Sequence, residues 1–485
     1  MPGVPRRIPG VGRLARVRIA LATGLLVASV ATAQSPTPAQ ATEPLLLAEV
    51  IQSVVSRYPP LLAALIEQDV AAGRLRQAEG AFDLSLNGNV SGAPSGYYDG
   101  RTSSLVVEQA LQGWGARVFG GYRLSSGFLP NYNLNRTPPD GQIVAGVRLN
   151  LLRDGSIDRA RAGQAQARIG EAAVDPQITR ARLDFVRSAT VAYFQWVAAG
   201  LRLTAAEALL RVANERDTAI ETLVKKGSLA PIVRTDNERL VISRRLALTQ
   251  AQRRFEAHAI ELSLFLRDHD DRPVLASRSR LPAAFPPADG HEGLRPDADE
   301  AQALQRRPEL KTLALNIERL EVEHRLARAD TLPSLDLTLE ARQSPGGQRL
   351  PDMEATEMRA GVELRVPLQR REASGRLLAV DAQIRQARRD EQFARERVVA
   401  EIRDTFSALT AAAAQLSQSR RNVELAGILE EAERLRFRQG ATDLLALQIR
   451  EQASFDARVV ELDTYLEYTR ALAGYRAAVA AEPTP

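Results

Sequence analysis

The densest group of potential metal ligands in the sequence is Asp268-His269-Asp270-Asp271. Carboxylate and imidazole groups bind several divalent cations, so this group deserves a test against its surroundings. It follows the end of a predicted helix and opens a proline-rich, irregular segment, where charged side chains are usually solvated. We therefore predict no metal site here and no cofactor elsewhere.

Few residues are arranged for catalysis. The chain has no cysteine, which excludes thiol catalysis, disulfides and zinc sites built from thiolates. Its four histidines form no serine–histidine–aspartate order, and Gly120-Gly121 lies in strand-like sequence rather than before a helix, unlike a phosphate-binding loop. The sequence therefore predicts a protein that is not an enzyme.

The charge balance argues against nucleic acid as a partner. The 485 residues include 64 Lys and Arg and 59 Asp and Glu, a formal net charge of +5. Basic and acidic residues are interspersed, and aromatic residues make up only 5% of the chain. Neither a basic stripe nor a set of aromatic stacking platforms is predicted, so we expect no nucleic-acid binding.

Residues 1–33 have the pattern of a secretory signal peptide. An apolar stretch at 19–30 precedes the small-residue site Ala31-Thr32-Ala33, so cleavage is expected after Ala33. Ala39-Gln40-Ala41 is a second candidate site, and a plain N-terminal anchor helix is the alternative. The basic residues before the apolar stretch are Arg6, Arg7, Arg13, Arg16 and Arg18. No later run of 18 apolar residues occurs, so an exported chain that enters a membrane must do so as a β-barrel.

Long segments rich in Ala, Arg, Leu and Glu carry apolar residues spaced alternately three and four apart, as in coiled coils. Asp175-Pro176 predicts a break in the first of them, because Asp as N-cap followed by Pro is a helix-start signature. The clearest stripe is Phe185, Ala189, Ala192, Trp196, Ala199, Leu203, Ala206, Leu210 and Ala213. The long helices are predicted at 156–224, 231–267, 374–436 and 443–478.

Between the helices, short segments alternate strictly between apolar and polar residues. Their length of about ten residues suits a tilted membrane-spanning strand with one apolar and one polar face. An antiparallel sheet on a soluble core gives the same alternation, but export favours the membrane barrel. The strands are predicted near 81–92, 104–126, 141–152, 333–343 and 356–368.

The order of predicted elements occurs twice. In each half a helix and strands lead to a long helix, a glycine turn and a returning helix. The turns contain Gly227 and Gly440, and Glu238 and Glu451 each follow their glycine by 11 positions. An additional hairpin in the first half carries Trp114 in its turn, which fits a membrane interface or a plain turn equally well. The repeats are predicted at 34–267 and 301–480, with a connector at 268–300 and a tail at 481–485.

This order resembles the outer membrane efflux protein family, the TolC-like channels, over about residues 44–480. The resemblance rests on the two halves, the strand entry from Ala329 to Pro333 and the glycine turns; residues 149–155 also look like the strand-to-helix exit of members with a longer first half. It implies a mainly α fold with a membrane β-barrel. Three chains in outer membrane lipid would share a twelve-stranded barrel and a periplasmic α-helical barrel. We expect the additional hairpin outside the barrel; if it spans the membrane, the barrel has eighteen strands.

The resemblance also implies a function. It is that of a passive outer membrane channel with a long periplasmic extension, which carries small molecules or ions from a periplasmic adaptor and inner-membrane transporter to the exterior. The outer membrane component of a type I protein secretion system uses the same scaffold and stays open as an alternative. A periplasmic coiled-coil adaptor is the alternative of another class, although such proteins normally lack duplicated strand pairs.

The two glycine turns are implied to be periplasmic tips that dock on the adaptor. Positions six past each glycine hold Val233 and Ala446, which departs from the ionic closure common in the family. Asp236 and Asp443 are the nearby acidic candidates for the aperture. The implied docking residues are Gly227, Ser228, Leu229, Ala230, Gly440, Ala441, Thr442 and Asp443.

Overall fold

The computed structural model describes residues 43–481 except 94, 131, 132, 134, 289 and 347–355. The predicted signal peptide with its cleavage site at Ala33, and residues 482–485 of the predicted tail, lie outside the described residues. The predicted connector at 268–300 is mostly irregular, with a short 3₁₀ turn at Arg278–Arg280.

The helices of the two repeats follow the same order. In the first repeat, α1 (Leu47–Arg57) and α2 (Pro59–Glu79) precede the strands, and α3 (Arg159–Ala172), α4 (Val174–Lys225) and α5 (Pro231–Ser263) follow them. In the second, α6 (Pro296–Arg306) and α7 (Pro308–Asp330) precede the strands, and α8 (Arg371–Arg438) and α9 (Leu444–Ala478) follow. Proline in the first turn starts four of these helices, where its missing N–H costs nothing.

The break in the first long helix lies at Ala173, between α3 and α4. Asp175 was expected to cap the new helix, but α4 already begins at Val174, so that detail is wrong. Pro176 still explains the break. It has no N–H to donate to the carbonyl four residues earlier, at Ala172, so the hydrogen-bond ladder is interrupted there.

The apolar stripe of α4 forms the centre of the core. Ala189 and Trp196 are fully buried, and Leu203 is 3% exposed. The Trp196 ring stacks on Phe255 of α5 at a centroid distance of 6.1 Å. The same core takes in side chains of α1, α8 and α9. The many alanines on the stripe allow these helices to approach closely.

Among the described residues, no helix combines the length and the apolarity that crossing a membrane requires.

One antiparallel sheet contains the strands of both repeats, in the order β1-β2-β3-β4-β5-β6. Strand β4 of the first repeat pairs directly with β5 of the second. The strands are β1 (Ser85–Gly92), β2 (Arg101–Ala110), β3 (Arg117–Ser126), β4 (Gln142–Asn150), β5 (Ser334–Gln343) and β6 (Thr356–Arg365).

The additional hairpin is β2 and β3, and it lies in the middle of this sheet. The expectation that it lies outside, leaving four strands per chain, is therefore wrong. The physical reason is register: Leu105 stands opposite Tyr122, and Val118 opposite Val147, so the hairpin presents its apolar residues on the same face as its neighbours. In the part of the chain that the structure describes, the sheet has six strands.

Candidate functional site

The sheet has one continuous apolar face. Residues directly opposite in the register share a face, and on this face every strand carries apolar side chains, with Arg101 of β2 as its one charged residue among the six strands. Most of its large side chains are exposed; Val90 and Met358, for example, are 80% and 87% exposed. An apolar area across six strands is far larger than soluble monomers normally expose. The face contains Leu86, Val90, Leu105, Val107, Val118, Tyr122, Leu124, Ile143, Ala145, Val147, Leu335, Leu337, Leu339, Ala341, Met358, Ala360, Val362 and Leu364.

The opposite face is polar and carries ion pairs between strands. The Arg123 guanidinium donates to Glu340 with Nη1–Oε1 at 3.1 Å, which joins β3 to β5 across β4. Arg342 donates to the same carboxylate. Phe119 lies over Gly146, where a Cβ atom would come within 2.5 Å of the ring. Apart from Arg101 at the start of β2, all charged side chains of the six strands therefore lie on this second face.

A buried carboxylate fastens the sheet to the helices. Asp330, at the end of α7 and 8% exposed, accepts from Arg153 at 2.9 Å and from Arg376 at 3.0 Å. Arg376 also donates to Glu323, from Nε at 3.1 Å. Arg153 follows β4 and Arg376 lies at the start of α8, so this network joins the strand exits of both repeats.

Both predicted tips close with the same hydrogen bonds. Gly227 has φ +77° and Gly440 has φ +71°, the left-handed conformation that only glycine adopts without strain. Ser228 N donates to Leu223 O, and Ala441 N donates to Arg436 O, each at 2.9 Å. This pattern is a Schellman motif, which satisfies the last helical carbonyls and turns the chain sharply.

Most tip residues are exposed, with Leu229 and Thr442 half-buried. Asp443 is the N-cap of α9: its Oδ1 accepts from Ala446 N at 2.8 Å. Asp236 is exposed on the first turns of α5 and makes no ion pair with the described residues. The structure therefore gives Asp443 a helix-capping contact and leaves the aperture and docking roles of these residues as predictions.

Three long helices meet at buried charged residues a few helical turns from the tips. We call this cluster the ionic junction; it consists of Arg216 of α4, Arg244 of α5 and Glu451 of α9. Arg216 donates to one Glu451 oxygen, and Arg244 Nη2 lies 3.6 Å from the other. Glu451 is 2% and Arg244 4% exposed. Burial lowers the pKa of the Arg244 guanidinium, and Glu451 opposes this effect by stabilising the charged form.

Further polar contacts surround the ionic junction. Arg244 Nη1 donates to Leu209 O at 3.1 Å, and the fully buried Asn237 donates to Asp217 at 2.8 Å. Two guanidinium groups nevertheless share one carboxylate, and Arg216 Nη1 and Arg244 Nε have no hydrogen-bond partner. Such an arrangement is costly to disturb, because losing the carboxylate leaves two buried positive charges.

Sequence reasoning missed the ionic junction, although a signal for it exists. Arg216 lies three positions after Ala213 and four before Ile220, both of them buried. Arg244 similarly follows Val241 by three positions, and Glu451 follows Leu447 by four. A charged residue at a coiled-coil core position needs a buried partner of opposite charge. Only the spacing of Glu451 from Gly440 entered the sequence interpretation.

The Asp268 cluster serves its own loop. Asp268 Oδ1 accepts from the backbone N–H groups of Asp270 and Arg272, each at 2.9 Å, and the bond from Arg272 is the main reason its pKa lies below the usual value. His269 is largely exposed. No group of three or more potential ligands suited to a metal ion occurs in the part of the chain that the structure describes.

Comparison with known proteins identifies the second repeat. Residues 301–481 match the family model described as outer membrane efflux protein. No curated protein is significantly similar in sequence over the chain. This match confirms the resemblance to the outer membrane efflux protein family over the second repeat.

Solved structures share the fold over nearly the whole chain. The Neisseria gonorrhoeae MtrE outer membrane channel, in its open state, aligns with TM-score 0.65 and 16% identity, covering 90% of this chain and 88% of that one. The Vibrio cholerae outer membrane protein VceC gives 0.64 and 16%, with 90% and 96% covered. CusC, described in terms of transmembrane channel formation, gives 0.64 and 16%, with 89% and 91% covered. The predicted mainly helical fold with duplicated strand and helix-hairpin units is confirmed.

Proposed function

We propose that this chain, whose second repeat matches the outer membrane efflux proteins and whose fold is that of outer membrane channels, is the outer membrane channel of a multicomponent export system. The observation that carries the proposal is the two-faced sheet. An apolar face across six strands suits contact with lipid, and the charged opposite face suits a water-filled interior. The chain acts as a passive conduit rather than an enzyme, as the family match supports.

Assembly follows from the open edges of the sheet. Strands β1 and β6 are the two ends of the strand order, so each has one edge that no other named strand covers. Unpaired edges are not tolerated in lipid, which requires the sheet to close. Pairing β6 of one copy with β1 of the next closes a ring, and a homotrimer gives eighteen strands, a number that leaves an aqueous interior.

The long helices place the tips far from the sheet. The 68 residues of α8 extend over roughly 100 Å at 1.5 Å per residue. With the strands in the outer membrane, the tips at Gly227 and Gly440 lie in the periplasm. There their exposed turns dock on the helical hairpins of an adaptor, which links the channel to an inner-membrane transporter. Small molecules or ions pass through to the exterior.

The proposal is tested first by fractionation and conductance. Purified protein should migrate as a trimer in mild detergent, co-fractionate with the outer membrane after alkali extraction, and conduct ions in planar bilayers. Recovery of the mature chain as a soluble monomer, or bilayers that never conduct, would overturn it.

Two neighbouring substitutions on β6 sharpen the test. Val362 lies on the apolar face and Glu363 on the polar face. V362D places a charge in lipid and should abolish stable insertion, since charges at the bilayer midplane cost about 2–4 kcal/mol. E363Q should insert normally. Equal insertion of both variants would show that the apolar face does not meet lipid.

A further inference from the structure

We propose that the polar face of the sheet favours anions, with Arg148 as the residue that determines this preference. The inference rests on the proposed function, because it requires this face to line a water-filled path. The cargo class it names is small organic anions, such as molecules that carry carboxylate or phosphonate groups.

The first support is the charge count on that face. The register places six arginines and five carboxylates there. The arginines are Arg117, Arg123, Arg148, Arg342, Arg359 and Arg365, and the carboxylates are Glu108, Asp336, Glu340, Glu357 and Glu363. Each copy in an assembly would therefore contribute one net positive charge to the interior.

Most of the charged groups on the polar face neutralise each other in ion pairs, so its excess positive charge is confined to a few positions. Four of the five carboxylates are held by arginines, with Arg117–Glu108 at 3.3 Å and Arg365–Glu363 at 2.9 Å as examples. These pairs are largely neutral to a passing ion. The net potential of the face therefore depends on the charges that remain outside such pairs.

Arg148 is the arginine outside the pairs. Within the described part of the chain it makes no ion pair, and its side chain is exposed. It stands directly opposite Arg117 across β3 and β4. Like charges opposite each other repel and destabilise a sheet unless an anion lies between or beside them. The pair thus offers two guanidinium groups, of which Glu108 neutralises one.

The counteracting group is Asp336, which stands opposite Asn150, two positions from the Arg148–Thr338 pair. Its carboxylate is not within ion-pair distance of a described arginine. It also lies near the strand exit: burial is the main reason that the pKa of Asp154 is raised, and the charge of Asp336 adds a smaller effect in the same direction. Asp336 therefore weakens the positive potential beside Arg148, at the end of the strands nearest the helices. Removing its charge should strengthen the preference for anions.

The experiment measures the potential beside Arg148 with a cysteine probe. Because the chain has no cysteine, Thr338→Cys introduces a single thiol directly opposite Arg148 on the polar face. In proteoliposomes, its thiolate displaces methanesulfinate from methanethiosulfonate reagents and forms a mixed disulfide. The ratio of rates for the anionic sulfonatoethyl and the cationic trimethylammonium-ethyl reagents, measured by mass spectrometry, reports the local potential.

We expect the anionic reagent to react faster with T338C. Adding Arg148→Gln should reduce the anion-to-cation rate ratio about threefold. This is the effect expected when one charge about 6 Å from the thiol is removed and the interaction is screened by water and salt. Adding Asp336→Asn should raise the ratio. The matched control is Arg365→Gln, which removes the same charge from a paired, more distant arginine and should leave the ratio nearly unchanged.

The outcomes separate the two proposals. A faster cationic reagent with T338C, or a ratio that R148Q does not change, overturns the anion preference and leaves the channel intact. Leu339→Cys, on the apolar face, tests the channel itself. If L339C reacts readily and T338C does not, the polar face is not the aqueous one and the proposed function fails.

Discussion

Replacing Glu451 with glutamine should loosen the helices around the ionic junction more than any other single change near the tips. Glu451 neutralises two arginines while only 2% exposed. Glutamine has nearly the same shape and keeps an acceptor oxygen. The substitution therefore removes the negative charge with little change in packing, and any effect reports electrostatics.

The magnitude follows from the geometry. Two unit charges 3.6 Å apart, the Arg244–Glu451 separation, attract by about 5 kcal/mol at an effective dielectric constant of about 20. Breaking a buried pair by removing one partner costs about 3–5 kcal/mol, because the remaining charge is left uncompensated. The amide oxygen of glutamine retains a hydrogen bond, so we expect the low end, about 3 kcal/mol.

Hydrogen exchange is the suitable assay, since it reads local opening without requiring reversible global unfolding. A loss of about 3 kcal/mol should accelerate amide exchange in α4, α5 and α9 around Arg216, Arg244 and Glu451 about 100-fold. Exchange in the sheet should not change. The same variant should also show more frequent opening events in bilayer conductance.

The duplicated chain supplies the matched control. Glu238 follows Gly227 by the same 11 positions as Glu451 follows Gly440, but its side chain is exposed. E238Q should change exchange less than twofold, as surface charges contribute little. Arg244→Gln in the E451Q background removes one unpaired guanidinium and should restore part of the protection. Unchanged exchange in E451Q, or equal effects of E451Q and E238Q, would refute the reasoning.

Three further changes have defined outcomes. Burial, reinforced by Glu49, raises the pKa of Tyr193 from 10.0 to about 12, so the contribution of its neutral hydroxyl is fully present below pH 10 and is lost as pH rises through 12, about 2 kcal/mol in total. In alkaline denaturation followed by circular dichroism, Y193F should therefore lose about 2 kcal/mol less stability than the parent between pH 10 and 12; the rest of the loss remains, because burial also raises the pKa of Tyr475. Asp330→Asn leaves Arg153 and Arg376 without their shared carboxylate and should destabilise the fold by about 2–3 kcal/mol, measured as faster amide exchange where α3, α7 and α8 meet. The control is Asp381→Asn, which removes a carboxylate from an exposed pair and should not accelerate exchange. Gly440→Ala should destabilise its tip by about 1 kcal/mol, because φ at this position is +71°. Gly427→Ala inside α8, where an added Cβ also meets no other atom, should stabilise that helix by a similar amount, so amide exchange should become faster at the first site and slower at the second.

Local periodicity located the elements but did not determine their partners. The heptad spacing of α4 and the alternation of the strands each depend on neighbours within a few residues, so helices and strands are visible in the sequence. Pairing of β3 with β4, and of β4 with β5 nearly 200 positions later, depends on contacts that no local pattern encodes. For that reason the additional hairpin was identified as strands and yet placed outside the sheet.

The ionic junction illustrates the same limit for side chains. Each of its members interrupts an apolar stripe, which indicates a special position, but the stripes belong to three helices. Which arginine meets which carboxylate depends on the relative axial positions of α4, α5 and α9. These positions depend on the tip turns and on packing along the whole length of the helices, including that of Ala189, Ala192 and Trp196, and no pattern within a single helix shows them.

The duplication has become unequal at its most buried charges. Arg216 and Arg244 belong to the first repeat and Glu451 to the second, so neither hairpin neutralises its own buried charge. The positions equivalent to Glu451 and Arg244 in the other repeat, relative to the tip glycines, hold the exposed Glu238 and the buried Ala457. A first repeat produced alone would bury two arginines without a carboxylate, or would have to expose them by separating α4 from α5. The two hairpins are therefore coupled through the ionic junction, and a change at either tip alters the free energy of both.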